Sequence, residues 1–265
     1  IAPPAAAEAI VANGFGRDRV PLTIPLLLSI VAGYIDSCTF LALFGLFVAQ
    51  ATGSFVIAGA QLVTHDDKIL IKILAIPVFF LAGMVTTAAV AVTSGWRYGA
   101  LPCTLVLEEI LLIGFAGTGL AGSPFLDPSA PMTLTAALLG LAAMGVQSAL
   151  VRLLMREFGS TNVMTTNTTQ LAIYATEAVL TWRKKRQVTK DVEIAAAFTA
   201  TCRQLRELLP LVLGFLLGTI AGALAYLQIG WWCVLAPILL VASMIIWSLW
   251  FERGRSASNP DARLS

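Results

Sequence analysis

The chain has 265 residues, of which 58% are hydrophobic and 12% charged, with a formal net charge of +2. A soluble domain carries about 25% charged residues to cover its surface, so this composition excludes a water-soluble globule. The net charge is too small to hold nucleic acid, and the apolar residues fall in blocks, several of them reaching the roughly 20 residues that cross a bilayer.

In chain order, residues 1–23 read as a cytoplasmic N-terminal segment. Residues 1–20 are Ala/Pro-rich and lack the continuous apolar core of a cleavable signal. Arg17 and Arg19 then precede a long hydrophobic run, as expected of a signal anchor. Six long apolar segments, 24–48, 69–93, 99–121, 132–151, 207–228 and 232–251, predict membrane-spanning helices. Two shorter ones, 50–63 and 162–180, begin with the polar runs Gln50-Ala51-Thr52-Gly53-Ser54 and Met164-Thr165-Thr166-Asn167-Thr168-Thr169-Gln170. So much Thr, Asn and Gly makes a poor continuous span and predicts a broken or re-entrant helix. His65, the only histidine, sits in the polar stretch Thr64–Lys68, which reads as a solvated loop. The expected organisation is a first membrane repeat over 24–121, a connecting loop over 122–131, a second repeat over 132–251 and a disordered cytoplasmic tail over 252–265. A basic cytoplasmic loop, 181–206, interrupts the second repeat, with a short helix expected over 188–206.

Basic residues orient the bundle. If the two short segments do not cross, there are six spans with both termini cytoplasmic. Arg17, Arg19, Arg97, Arg152, Arg156, Arg183, Lys184, Lys185, Arg186, Lys190, Arg203, Arg206, Arg253, Arg255 and Arg263 then lie inside, and only Lys68 and Lys72 outside. If both cross, there are eight spans and the split changes only from 15:2 to 14:3. Six is favoured because 50–63 is short and polar at its start.

The order of features recurs. Residues from Gly33 to Thr52 can be laid over Gly145 to Thr165, with Asp36 against Ser148 and one residue inserted before the second Thr-led run. Three spans per half make the copies antiparallel, the inverted repeat common among transporters. Gly33-Tyr34-Ile35-Asp36, Thr52-Gly53-Ser54, Gly145-Val146-Gln147-Ser148 and Met164 to Leu171 resemble the YoaK, or DUF1275, family of bacterial membrane proteins. The resemblance covers roughly 24–250 and departs from the family pattern at Ser54, in place of Asn, and Thr166, in place of Gly. It implies a multi-pass protein of the bacterial inner membrane and supplies no reaction.

Candidate site residues are the polar groups inside apolar segments. Asp36 lies in the first span, and a carboxylate there costs roughly 2.5–3.5 kcal/mol on insertion scales, so it is expected to face the interior or a wet cavity. Glu108 and Glu109 sit mid-span in the third long segment with no Lys or Arg at the centre of any span to neutralise them. Such acids suit proton coupling or a cation site. Thr52, Gly53, Ser54, Thr165, Thr166, Asn167 and Gln170 would supply donors and acceptors where helices break. Gln147, next to the counterpart of Asp36, is expected in the same region.

The remaining motifs read as structure. Gly214, Gly218 and Gly222 put a smooth face on one helix, for packing within the subunit or in a homodimer. Trp96, Trp182, Trp231, Trp232 and Trp250 fall at segment ends, as interfacial anchors do. Cys38, Cys103, Cys202 and Cys233 have no ligand spacing and read as packing groups. The basic run 181–190 is expected to meet anionic lipid. No nucleotide loop, metal-ligand spacing or nucleophile elbow occurs, so no enzyme activity, cofactor, metal or nucleic acid is expected. The expectation is a proton- or cation-coupled carrier of an unidentified small molecule, with a non-transporting membrane scaffold or partner subunit as the alternative.

Overall fold

The computed structural model describes residues 20–64, 69–93, 99–156, 158–161, 163–187 and 192–258. His65, Trp96, Arg97, Lys190, the first 19 residues and the tail beyond 258 lie outside the described residues. The described chain is all-α: α1 Thr23–Ala42, α2 Ala51–Thr64, α3 Ile69–Thr93, α4 Ala100–Gly122, α5 Pro131–Leu154, α6 Met164–Gln187, α7 Val192–Ile229, a 3₁₀ turn Gly230–Val234, and α8 Leu235–Ser258. Five stretches are long and apolar enough to cross a membrane: Thr23–Ala42, Ile73–Thr93, Ala100–Gly122, Pro131–Leu154 and the 60-residue run Val192–Phe251. The last contains α7 and most of α8, which the 3₁₀ turn separates at Gly230 (φ 58°). The protein is therefore a multi-spanning membrane protein. Its outer surface carries the apolar side chains that lipid requires, among them Phe80, Leu217, Leu239 and Ile246, each more than 60% exposed.

Four segments differ from the sequence reading. The first helix stops at Ala42 rather than 48, because Phe44 (φ 54°) and Gly45 (φ 73°) turn the chain. The residues that follow stay apolar, and Leu43, Leu46, Val48 and Ala49 are buried. The segment 162–180 is not broken: Thr165 to Gln170 form the opening turns of the continuous 24-residue α6. Likewise Thr52, Gly53 and Ser54 are the first turn of α2, not a turn between helices. The expected basic loop 181–206 is largely helical, its ends belonging to α6 and to the 38-residue α7.

Contacts fix the helix directions. Leu26, Ile30 and Tyr34 of α1 meet Gly214, Gly218 and Gly222 of α7 in the same order, so these helices are parallel. The approach is close enough that a Cβ on Gly218 would lie 2.2 Å from the Ile30 carbonyl oxygen. That face is filled by α1. Gly114 and Gly122 of α4 meet Leu139 and Met132 of α5, so α4 and α5 are antiparallel. Six residues link α3 to α4. They reach at most about 25 Å, short of the roughly 35 Å length of α4, so α3 and α4 are also antiparallel. Finally, Gln147 of α5 bonds to Leu28 of α1, while the Asp36 end of α1 lies, through Val48, against Gly140. Hence α1 and α5 are antiparallel, and α1 and α3 run in opposite directions although α2 lies between them.

The core is filled by Leu28, Val31 and Ile35 of α1, Leu105, Leu112 and Phe115 of α4, and Leu141, Met144 and Leu150 of α5. Trp231 joins this core instead of anchoring at an interface. It is 3% exposed, its Nε1 donates to the Ala116 carbonyl at 3.2 Å, and Phe115 and Phe125 pack edge-on against it. Space for its ring exists only because Gly119 has no side chain. Trp182, Trp232 and Trp250 are exposed, as anchors would be.

Candidate functional site

After α1 ends, the chain doubles back beside the helix. Leu43 N–H donates to Thr39 and Leu46 N–H to Leu43, and Ala49 N–H then reaches Asp36 Oδ1 at 2.7 Å. Asp36 is thus held two residues ahead of α2, where the amide groups of a helix start favour an anion. Oδ2 has no hydrogen-bond partner among the described residues. Asp36 and Gln50 line a pocket of about 240 Å³ with Phe40, Phe47, Phe215 and Thr219. The Phe40 and Phe47 rings are 5.1 Å apart.

The end of α5 does the same. Met155 N–H donates to Val151 and Phe158 N–H to Met155, each 112 positions beyond its counterpart. Gln147 Nε2 donates to the Leu28 carbonyl at 2.9 Å and lies 3.4 Å from Thr161 Oγ1, 14 residues on, as Asp36 reaches 13 residues on. A Cβ on Gly33 would strike the carbonyl oxygen of Phe215, and one on Gly145 would press on that of Phe79. A second pocket, about 730 Å³, is lined by Ser148, Ala149, Arg152 and Leu153 of α5 and by Phe79, Gly83 and Thr87 of α3. These positions match Asp36, Ser37, Phe40 and Leu41 of α1, and Phe215, Thr219 and Ala223 of α7, in the first pocket. The two pockets share a frame and differ in chemistry, an acid in one and an arginine in the other.

The family model "Protein of unknown function (DUF1275)" matches residues 24–247. The chain belongs to the DUF1275 family. No curated protein and no solved structure matches it. The family match covers both sets of equivalent contacts, and the resemblance read from Gly33–Asp36 and the Thr-rich runs is borne out.

In this DUF1275 protein the predicted residues whose side chains are described are spread over separate places, Asp36 in one pocket and Gln170 in another. Glu108 is wholly buried and neither of its carboxyl oxygens has a partner among the described residues; Glu109 is half-buried and its Oε2 is likewise unpartnered. The register of α4 on α5 puts Glu108 level with Gly145–Gln147, about 12 Å along the bundle from Asp36. Asn167 is buried and donates through Nδ2 to the Ser160 carbonyl, bracing the start of α6. Thr165 and Thr166 are exposed. Gln170 lines a third pocket, about 430 Å³, with Tyr174, Arg156, Arg203, Gln204 and Glu207. Gly53 is half-buried, and the side chains of Thr52 and Ser54 lie outside the described residues. The aromatic wall of Phe40, Phe47 and Phe215 was missed, because those residues read as ordinary apolar filling. Among the described residues no cluster of three or more His, Cys, Asp or Glu side chains could hold a metal.

Proposed function

We propose that the protein is a carrier for a small organic cation, with Asp36 as the group that couples solute movement to that of a proton or metal cation. The observation that carries this reading is the Asp36 pocket: a buried carboxyl group with one oxygen held by Ala49 N–H, the other unpartnered, beside three phenylalanine rings. A carboxylate and aromatic faces together favour an ammonium or similar cation. The pocket volume of about 240 Å³ suits a solute of a few heavy atoms more than a free amine.

The matching contacts after α1 and α5, and their opposite directions, support an inverted repeat of three crossings each. On this reading α2 and the first turns of α6 are re-entrant, returning to the side from which the chain came. Six spans follow, with both termini cytoplasmic in the bacterial inner membrane and the basic stretch 181–190 against anionic lipid. The equivalent pockets would then open toward opposite faces, the geometry that alternating access needs. The protein moves a solute rather than transforming one.

The test is uptake of radiolabelled tetraethylammonium into proteoliposomes under an imposed pH gradient. Uptake that needs both protein and gradient supports the carrier. Uptake equal to that of empty liposomes, for tetraethylammonium and a panel of primary and quaternary amines, would remove the assignment. The scaffold reading draws on one observation, the separation of Gln170 and Glu108 from Asp36.

A further inference from the structure

Two of the four cysteines meet. Cys38 Sγ and Cys233 Sγ are 3.3 Å apart, both side chains at most 1% exposed, although 195 residues separate them in sequence. Cys38 belongs to α1 and Cys233 to the 3₁₀ turn between α7 and α8. The backbone there is already docked. Tyr34, one turn before Cys38, donates its hydroxyl to the Cys233 carbonyl at 3.0 Å, and Gly222 lies against the Tyr34 backbone. Cys38 Sγ is also 3.5 Å from the Gly222 carbonyl oxygen. A disulfide requires sulfurs about 2.05 Å apart, so the two sulfurs must close by roughly 1.2 Å from their 3.3 Å separation.

We propose that Cys38 and Cys233 are joined by a disulfide in the mature protein, locking α1 to the turn that joins α7 and α8. This rests on the orientation proposed above. With a cytoplasmic N-terminus, Cys38 lies four residues before the outer end of α1, on the side of the membrane where disulfides persist. Both sulfurs are inaccessible once the helices pack, so the bond forms during assembly. The oxidant is a protein disulfide donor on the outer face. The Cys233 thiolate attacks one donor sulfur and releases a donor thiol; the Cys38 thiolate then attacks Cys233 Sγ and releases the second. Two cysteine thiols are oxidised, and one donor disulfide is reduced to two thiols. Because α1 and α7 belong to different halves, the bond makes them one body in any rocking motion.

The experiment traps thiols with acid in intact cells, denatures the protein, adds a maleimide and reads adducts by intact mass. Two adducts per chain, on Cys103 and Cys202, are expected without reductant, and four after reduction. Four adducts without reductant would overturn the cross-link. In Cys38→Ser, three adducts are expected with or without reduction; fewer than three without it would mean that Cys233 pairs elsewhere, and would overturn the assignment as well. The adduct count needs no solute, so it stands apart from the carrier assay. Protease access to a C-terminal tag reads the orientation separately.

Discussion

Replacing Gly218 with alanine puts one methyl group between α1 and α7. The added Cβ would lie 2.2 Å from the Ile30 carbonyl oxygen, and that oxygen is backbone, so no side chain can rotate away. Relief to an ordinary contact requires the helices to part by roughly 1 Å, a gap that forfeits a quarter to a half of each facing contact. The same shift stretches the Ser29 hydroxyl bond to the Leu211 carbonyl (2.7 Å) and the Tyr34 bond to Cys233 (3.0 Å). Overpacking of this kind costs about 1–3 kcal/mol, and the better helix propensity of alanine returns up to about 1 kcal/mol. The expected net loss is about 1–2 kcal/mol. Gly83→Ala and Gly117→Ala are the controls, because a Cβ at either meets nothing within 4 Å; they should be neutral or slightly stabilising. Reversible unfolding by SDS in mixed micelles, or steric trapping in bicelles, measures all three. Equal stability of Gly218→Ala and Gly117→Ala would refute the close parallel packing of α1 on α7.

Gly119→Ala should be at least as damaging as Gly218→Ala by the same unfolding assay, since its Cβ would overlap the buried Trp231 ring; wild-type stability would contradict the placement of that ring. Gln147→Leu removes the bond to the Leu28 carbonyl, which still accepts within α1, so the loss is about 0.5–1.5 kcal/mol. Unchanged unfolding in this variant would show that the bond does not brace α5 against α1. Replacing Arg183, Lys184, Lys185 and Arg186 with glutamine should weaken retention of anionic lipid, at about 1 kcal/mol per charge and less at high salt. Native mass spectrometry of co-purified lipid checks this, and identical lipid content would remove the proposed contact.

The membrane class and nearly all of the long helices were legible in composition and block length, because a bilayer demands both. The ends were less so. Leu43, Leu46, Val48 and Ala49 are as apolar as a span and extend the first segment by composition, while the turn is made by Phe44 and Gly45, whose backbone angles leave only a weak mark in sequence. The polar run Met164–Gln170 reads as a break because Thr and Asn disfavour helix interiors. Here they open a helix, with Asn167 turned inward on Ser160. The stripe of Gly214, Gly218 and Gly222 was visible, but not which helix fills it. Asp36 was found because a lone acid in an apolar run is conspicuous, whereas its aromatic neighbours from α1, the 46–50 segment and α7 are brought together only by the fold. The meeting of Cys38 and Cys233 leaves no spacing to detect.

The central claim concerns Asp36, and proton movement tests it most directly. Proteoliposomes loaded with a pH-sensitive dye would be given an outward gradient of tetraethylammonium or of whichever amine the uptake panel selects. The account predicts a cation-driven pH change with the wild-type protein and its loss in Asp36→Asn, with unfolding behaviour retained. An equal pH change in Asp36→Asn would contradict it.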